Sequence, residues 1–130
     1  MSIYTILVMG SPHSTENAIS AFLCAKCLLK NKKNNIKNIF FYGNGVLNAN
    51  NMINTPIESI NLVREWYQLS KFFFIKLYIC ISSAQEKGIL SNEMSKSLGF
   101  LHGNLHKGFY LTGLSTLVYS MLSSDHFLQF

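Results

Sequence analysis

The sequence predicts an α/β fold, with helices on both faces of a five-stranded, mainly parallel sheet. Three observations carry this. Short β-branched apolar runs at Ile3–Met9, Ile36–Tyr42 and Lys76–Cys80 have the length of buried strands. The segments between them repeat their apolar residues at helical spacing. Gly, Pro and Asn punctuate the changeovers, as at Gly10-Ser11-Pro12 and Gly43-Asn44-Gly45. Alternation of this kind implies a parallel sheet with right-handed crossovers.

In order, the first strand is Ile3–Met9. Ser14 or Thr15 is expected to cap a helix running to about Leu29, with Glu16 in its first turn. Ala18, Ala21, Phe22, Ala25, Leu28 and Leu29 form its core face. Ile19, Leu23 and Cys27 lie opposite, which implies a second buried side and a subunit contact. Asn31–Asn35 reads as a Lys-rich loop, Ile36–Tyr42 as the second strand, and Val46–Asn54 as a loop of Asn and small residues. Thr55-Pro56-Ile57-Glu58 has the form of a capping box with Pro at the first helical position. A helix bearing Leu62, Val63, Trp66, Leu69 and Phe73 follows. The third strand is Lys76–Cys80. A helical turn from Ser83 to Lys87 ends at Gly88. Ser91 caps a short helix through Leu98, stopped by Gly99. A fourth strand falls between Leu98 and Leu111. Thr112 or Ser115 opens a last helix with Leu114, Leu117, Val118, Met121 and Leu122 on one face, and Asp125–Phe130 is a closing strand. Five strands in this order fit a three-layer, flavodoxin-like arrangement.

A chain of 130 residues, 48% of them hydrophobic, suits one domain over 1–130. Only 13% of residues are charged, against roughly 25% in an average soluble protein. That points to a subunit of an assembly, or to a polar surface of Asn and Ser. The net charge is +5, and five of the eleven basic residues lie between Lys26 and Lys37. Such a run serves an RNA or acidic-protein partner, or simply solvates a helix end. Three cysteines with no charged leader segment indicate a reducing cytoplasm. The longest apolar run, Phe72–Ile81, is interrupted by Lys76 and is too short to cross a membrane.

Cys80 is the leading candidate for chemistry. It falls at the carboxyl tip of a strand, where open α/β sheets carry their sites. A helix is expected to start beside it, with Ser82 and Ser83 as possible caps, and helix N-termini favour the nucleophilic thiolate. The bland alternative is a small buried hydrophobe. Cys24 and Cys27 form a C-x-x-C in mid-helix, not at a helix start. A zinc site would need two more ligands, and His13, His102, His106 and His126 supply no ligand spacing, so packing is the better reading. The Gly10–Thr15 loop offers hydroxyls and amides that can hold a phosphate, as in a flavin-binding protein. His13 reads as a surface residue or a neighbour of the active cysteine. The six acids are scattered, without a catalytic pair.

Several motifs then resemble a known family. Phe40-Phe41-Tyr42 is followed by Gly45-Val46-x-Asn48-Ala49-Asn50 and Leu62-Val63-x-x-Trp66. Ile79-Cys80 precedes Gly88-Ile89. Gly108-Phe109-x-Leu111-x-Gly113-Leu114 and a terminal Asp125-x-x-x-Gln129-Phe130 complete the set. Over nearly its whole length the chain resembles the DsrE-like sulfurtransferase subunits. The resemblance implies a persulfide sulfurtransferase with Cys80 as its one catalytic residue and no metal or cofactor. It implies a cytoplasmic heterohexamer with TusB-like and TusC-like subunits, two of each. It further implies a TusA-like sulfur donor and a TusE-like acceptor, serving 2-thiolation of the tRNA wobble uridine, through protein contacts and not direct tRNA contact. Cys24, Cys27 and the Asn/Lys segment after the first helix are not part of the family's pattern. The alternatives are a flavin-binding redox protein using Ser11–Thr15 and a non-catalytic structural subunit of such a complex.

Overall fold

A computed structural model describes residues 1–130. In chain order the elements are β1 (Ser2–Val8), α1 (Asn17–Leu29), β2 (Asn34–Phe41), a 3-10 helix (Gly43–Ala49), α2 (Leu62–Phe73), β3 (Lys76–Cys80), α3 (Ile81–Glu86), α4 (Asn92–Ser97), β4 (Phe109–Thr112), α5 (Leu114–Ser123) and β5 (His126–Gln129). All four strand pairings are parallel, in the order β4-β3-β2-β1-β5.

The three-layer α/β class and the five-stranded sheet are as expected. The strand order is not the flavodoxin-like 2-1-3-4-5. Here β1 to β4 lie in simple succession, and the chain reverses only to set β5 on the free edge of β1. The reversal is pinned at both ends. Asp125 accepts the Ile3 N–H on its carboxylate at 2.8 Å and donates its own N–H to the Ile3 carbonyl. Met9 N–H donates to the Phe130 carbonyl at 2.7 Å.

The pleat sends alternate residues to opposite faces. Ile6 and Val8, Ile39 and Phe41, and Leu77 and Ile79 face α1 and α2. There they meet Ala18, Ala21, Phe22, Ala25, Val63, Trp66 and Leu69 in the main core. A register shift between Tyr4 and Thr5 keeps Ile36 on that same side. Trp66 is the anchor. Its ring meets Phe22 and Phe41 edge-on, each at 5.2 Å between centroids, a geometry worth about 0.5–1.5 kcal/mol per pair beyond burial.

The opposite face is covered by α5 and is more polar. Thr5 and Asn38 point into it, and both are buried. Asn38 Nδ2 donates to Ser120 Oγ at 2.6 Å, and Thr5 Oγ1 donates to the Ser120 carbonyl. Partnering the Asn38 amide N–H and the Thr5 hydroxyl turns Ser120 inward. The expected core stripe of α5 is therefore mostly outside. Leu117 is buried, while Leu114, Val118, Met121 and Leu122 are exposed.

Other boundaries differ for local reasons. α1 starts one or two residues late, with Glu16 as its N-cap and no side-chain cap bond. Of its second apolar side, Leu23, 57% exposed, and Cys27 stand in solvent, while Ile19 packs partly against the main core. The capping box at 55–58 starts no helix. Asn61 caps α2 instead, accepting the Arg64 N–H at 3.2 Å. Of the stretch expected as a loop after β2, Val46–Asn54, the first part to Ala49 belongs to the 3-10 helix and the remainder is irregular. At Gly88 and Gly99, φ values of +75° and +92° end the helical segments as expected, and Ser91 caps α4 by accepting the Met94 N–H.

Candidate functional site

Cys80 is the last residue of β3 and the N-cap of α3, with Ile81 already helical. No loop intervenes between strand tip and helix, so the position matches the sequence expectation. The helix begins two residues earlier than expected, and neither Ser82 nor Ser83 caps it. Ser83 Oγ instead accepts the Gly43 N–H at 3.0 Å, tying the end of β2 to α3.

Cys80 is buried, only 3% exposed. It shares the α5 face with Tyr78 and packs with Leu7, Phe40 and Leu117, with Tyr42, Tyr78 and Phe127 around them. The covering residues come from three strands and a helix distant in sequence, so no local pattern reveals them. Beside Cys80 on β4 lies Thr112, whose hydroxyl is bonded to that of Thr116 at 2.6 Å.

Along the carboxyl ends of β1, β2 and β3 runs an open cavity of about 320 Å³, lined by Met9, Tyr42, Gly43, Asn44, Ser83 and Glu86. This is the crevice in which open α/β sheets place ligands. Cys80 does not line it. Tyr42 belongs to both places, packing against the Cys80 cluster and walling the cavity. It is the residue that the two share.

The crevice rests on Asn48, which is fully buried. Its Nδ2 donates to the carbonyls of Gly10 at 3.0 Å and Gly45 at 2.8 Å, and its Oδ1 accepts the Trp66 indole N–H at 3.1 Å. One side chain thus joins the loop after β1, the 3-10 helix after β2, and α2. Asn48 stands within a quoted sequence motif, but its bonding is visible only in three dimensions.

The other candidates lie apart. His13 is exposed on the loop after β1, two strands from β3. Cys24 and Cys27 are free thiols on α1. Burial pushes the Cys24 thiol up, and the Cys27 charge adds to this. His106 sits against the Tyr67 ring, and burial and the charge of Lys107 hold it below the usual imidazole range. No three His, Cys, Asp or Glu side chains gather as a metal would need. The Ser11–Thr15 loop is folded on itself. Ser11 donates to the Ser14 hydroxyl at 2.9 Å and accepts the Ser14 N–H at 3.0 Å. The Thr15 hydroxyl accepts the Asn17 N–H at 3.4 Å, and nothing supports a flavin there. No helix is long and apolar enough to cross a membrane.

Fold and site together define a DsrE-type α/β protein with a cysteine at the tip of its third strand. The chain belongs to the DsrE/DsrF-like family, whose family model matches residues 2–130. Among curated relatives it is similar to sulfurtransferase TusD of Buchnera aphidicola subsp. Acyrthosiphon pisum (strain APS), 42% identical over 127 residues and 98% of each chain. It is 36% identical to sulfurtransferase TusD of Proteus mirabilis, covering 98% of this chain and 97% of that one. Identity with the Pectobacterium atrosepticum protein of the same name is 35% over the full length of both. The crystal structure of the E. coli YchN protein shares the fold, with a TM-score of 0.80 over both whole chains at 18% identity.

Proposed function

We propose that this chain, as a single DsrE-like domain over 1–130, is a sulfurtransferase that carries sulfur on Cys80. The observation carrying this is the placement of Cys80 at the junction of β3 and α3, behind the crevice at the carboxyl edge, in a chain whose relatives are named sulfurtransferase TusD. The Cys80 thiolate attacks the outer sulfur of a donor persulfide. A new S–S bond forms on Cys80, the donor S–S bond breaks, and the donor leaves as a thiolate. An acceptor thiolate then takes the outer sulfur from Cys80 and restores the starting thiolate. Electrons balance without a metal, flavin or external oxidant.

A sulfur with 3% exposure is reached only if its cover moves. Tyr42 is the group to move, because it alone both packs on the Cys80 cluster and faces the crevice. Its swing connects the sulfur to a cavity broad enough for a cysteine-bearing loop of a partner protein.

The finer reading is what the family resemblance implies. The donor is a TusA-like carrier, the acceptor is TusE-like, and the end product is the 2-thiolated wobble uridine of tRNA, made in the cytoplasm. The chain works in a heterohexamer with TusB-like and TusC-like subunits. In support, α5 buries Ser120 and exposes Leu114, Val118, Tyr119, Met121 and Leu122. An apolar surface of this kind marks a protein interface.

The test is acceptance of radiolabelled sulfur from a persulfide donor. Wild-type chain takes the label; Cys80→Ser, folded as judged by circular dichroism, takes none. A labelled Cys80→Ser chain puts the sulfur on another residue and overturns the assignment; an unlabelled wild-type chain returns the protein to the class of structural subunits.

A further inference from the structure

At the opposite end of β3 lies a second cleft, of about 400 Å³. Its walls come from the end of α2, the turn into β3, and the approach to β4, and include Tyr67, Lys71, Phe74, Lys76, Lys107 and Tyr110. Lys76 and Cys80 are the two ends of one strand, roughly 13 Å apart at the usual rise. The cleft is thus separate from the crevice in front of Cys80.

Three features give it a chemical character. No carboxylate lines it, although three ammonium groups do. Lys71 and Lys107 approach the same ring, that of Tyr67, at 5.5 and 5.3 Å, and Lys76 lies 4.4 Å from the Tyr110 centroid. Three like charges lining one cleft without a counter-charge make a place for an anion. The cations are lysines, which bind phosphate as point charges.

The third feature is Phe74. It closes α2 in the left-handed conformation, φ 57° and ψ 45°, donating its N–H to the Ser70 carbonyl. Glycine takes that conformation freely, and a bulky residue there is an outlier. Yet the ring is 93% exposed, at the rim of the cleft. Neither backbone preference nor burial accounts for an aromatic side chain at this position. A planar ligand does, because an exposed ring beside lysines is a stacking platform for a base.

We propose that this cleft binds a nucleoside phosphate, the phosphate among Lys71, Lys76 and Lys107 and the base against Phe74. A free nucleotide and a nucleotide within single-stranded RNA present the same group, and the test separates them.

The probes are adenosine monophosphate and a short fluorescent oligoadenylate, titrated into the full chain, with polyglutamate as the acidic-peptide competitor. Binding of both probes with equal affinity assigns a free nucleotide; tighter binding of the oligomer assigns the strand. Lys71→Gln and Lys107→Gln weaken binding, and each lowers the salt slope for the oligomer by about 0.7. Phe74→Gly weakens it by about fivefold or more, while the thermal midpoint stays or rises because glycine relieves the backbone. That opposition separates lost stacking from lost folding. Cys80→Ser binds as wild type, so this site stands or falls independently of sulfur transfer. The proposal is overturned if neither probe binds, if polyglutamate competes as well as nucleotide, or if Phe74→Gly leaves affinity unchanged.

Discussion

The indole N–H of Trp66 donates to the side-chain oxygen of Asn48 at 3.1 Å, with both residues fully buried. Through the two other bonds of Asn48, the anchor of the main core holds the loops that frame the crevice. Asn48→Ala strands the indole N–H and frees two carbonyls. A buried group left unpaired costs about 1–3 kcal/mol, so we expect a loss of at least about 2 kcal/mol in urea unfolding, followed by Trp66 fluorescence. A loss below about 0.5 kcal/mol, the scale of an ordinary surface change, would show the network to be dispensable.

Gly45 stands against β1 so closely that a Cβ there would overlap the Val8 carbonyl oxygen, and the obstacle is backbone. Gly45→Ala is expected to destabilise by about 1–3 kcal/mol or more, as overpacking does. It should also loosen the 3-10 helix, seen as faster amide exchange at Val46–Ala49. Unchanged exchange would mean that β1 and the 3-10 helix separate freely.

His106 gives stability a pH dependence. Burial first, and the Lys107 charge second, lower its pKa from the ordinary 6.5. Its Nδ1 also accepts the Gly108 N–H at 3.1 Å, a bond lost if that nitrogen is protonated. The unfolded chain takes up a proton near 6.5 while the folded chain does not. The contribution of His106 is therefore fully present above 6.5 and is lost as pH falls through the lower folded value. The urea midpoint should fall on acidification below 6.5, and His106→Gln should flatten that part of the curve. An unchanged slope in His106→Gln would assign it to other groups.

The thiols rank by access. Cys27 is exposed, Cys24 half-buried with its thiol pushed up, and Cys80 buried. Iodoacetamide mapping should label Cys27 first, Cys24 more slowly and Cys80 last. Tyr42→Ala removes the side chain shared by the Cys80 cluster and the crevice, and should speed labelling of Cys80 several-fold without changing Cys24. Acceleration at both would signify general loosening and remove Tyr42 from the account.

Much of the scaffold was legible in the chain. The β-branched runs located the strands, and Ser91, Gly88 and Gly99 marked helix ends by local chemistry. The position of Cys80 between strand and helix was equally local. The rest depended on contacts between distant segments. Strand order is not written in crossover length. The Thr55-Pro56 signature lost to Asn61, which caps the segment whose apolar stripe fits the sheet. The orientation of α5 followed Thr5 and Asn38, far away in sequence, which needed Ser120. The burial of Cys80 followed from Leu7, Phe40 and Leu117 meeting over it. The aromatic and basic residues of the second cleft are partly contiguous, as Lys71-Phe72-Phe73-Phe74-Ile75-Lys76, but only the fold brings Tyr67, Lys107 and Tyr110 to them.

The most direct test of the central claim is peptide mass mapping after brief incubation with a persulfide donor, without reductant. The account predicts the added mass of one sulfur atom on the peptide carrying Cys80, its disappearance on addition of a thiol acceptor, and no adduct in Cys80→Ser. Sulfur mapped to Cys24 or Cys27, with the Cys80 peptide unmodified, would contradict it.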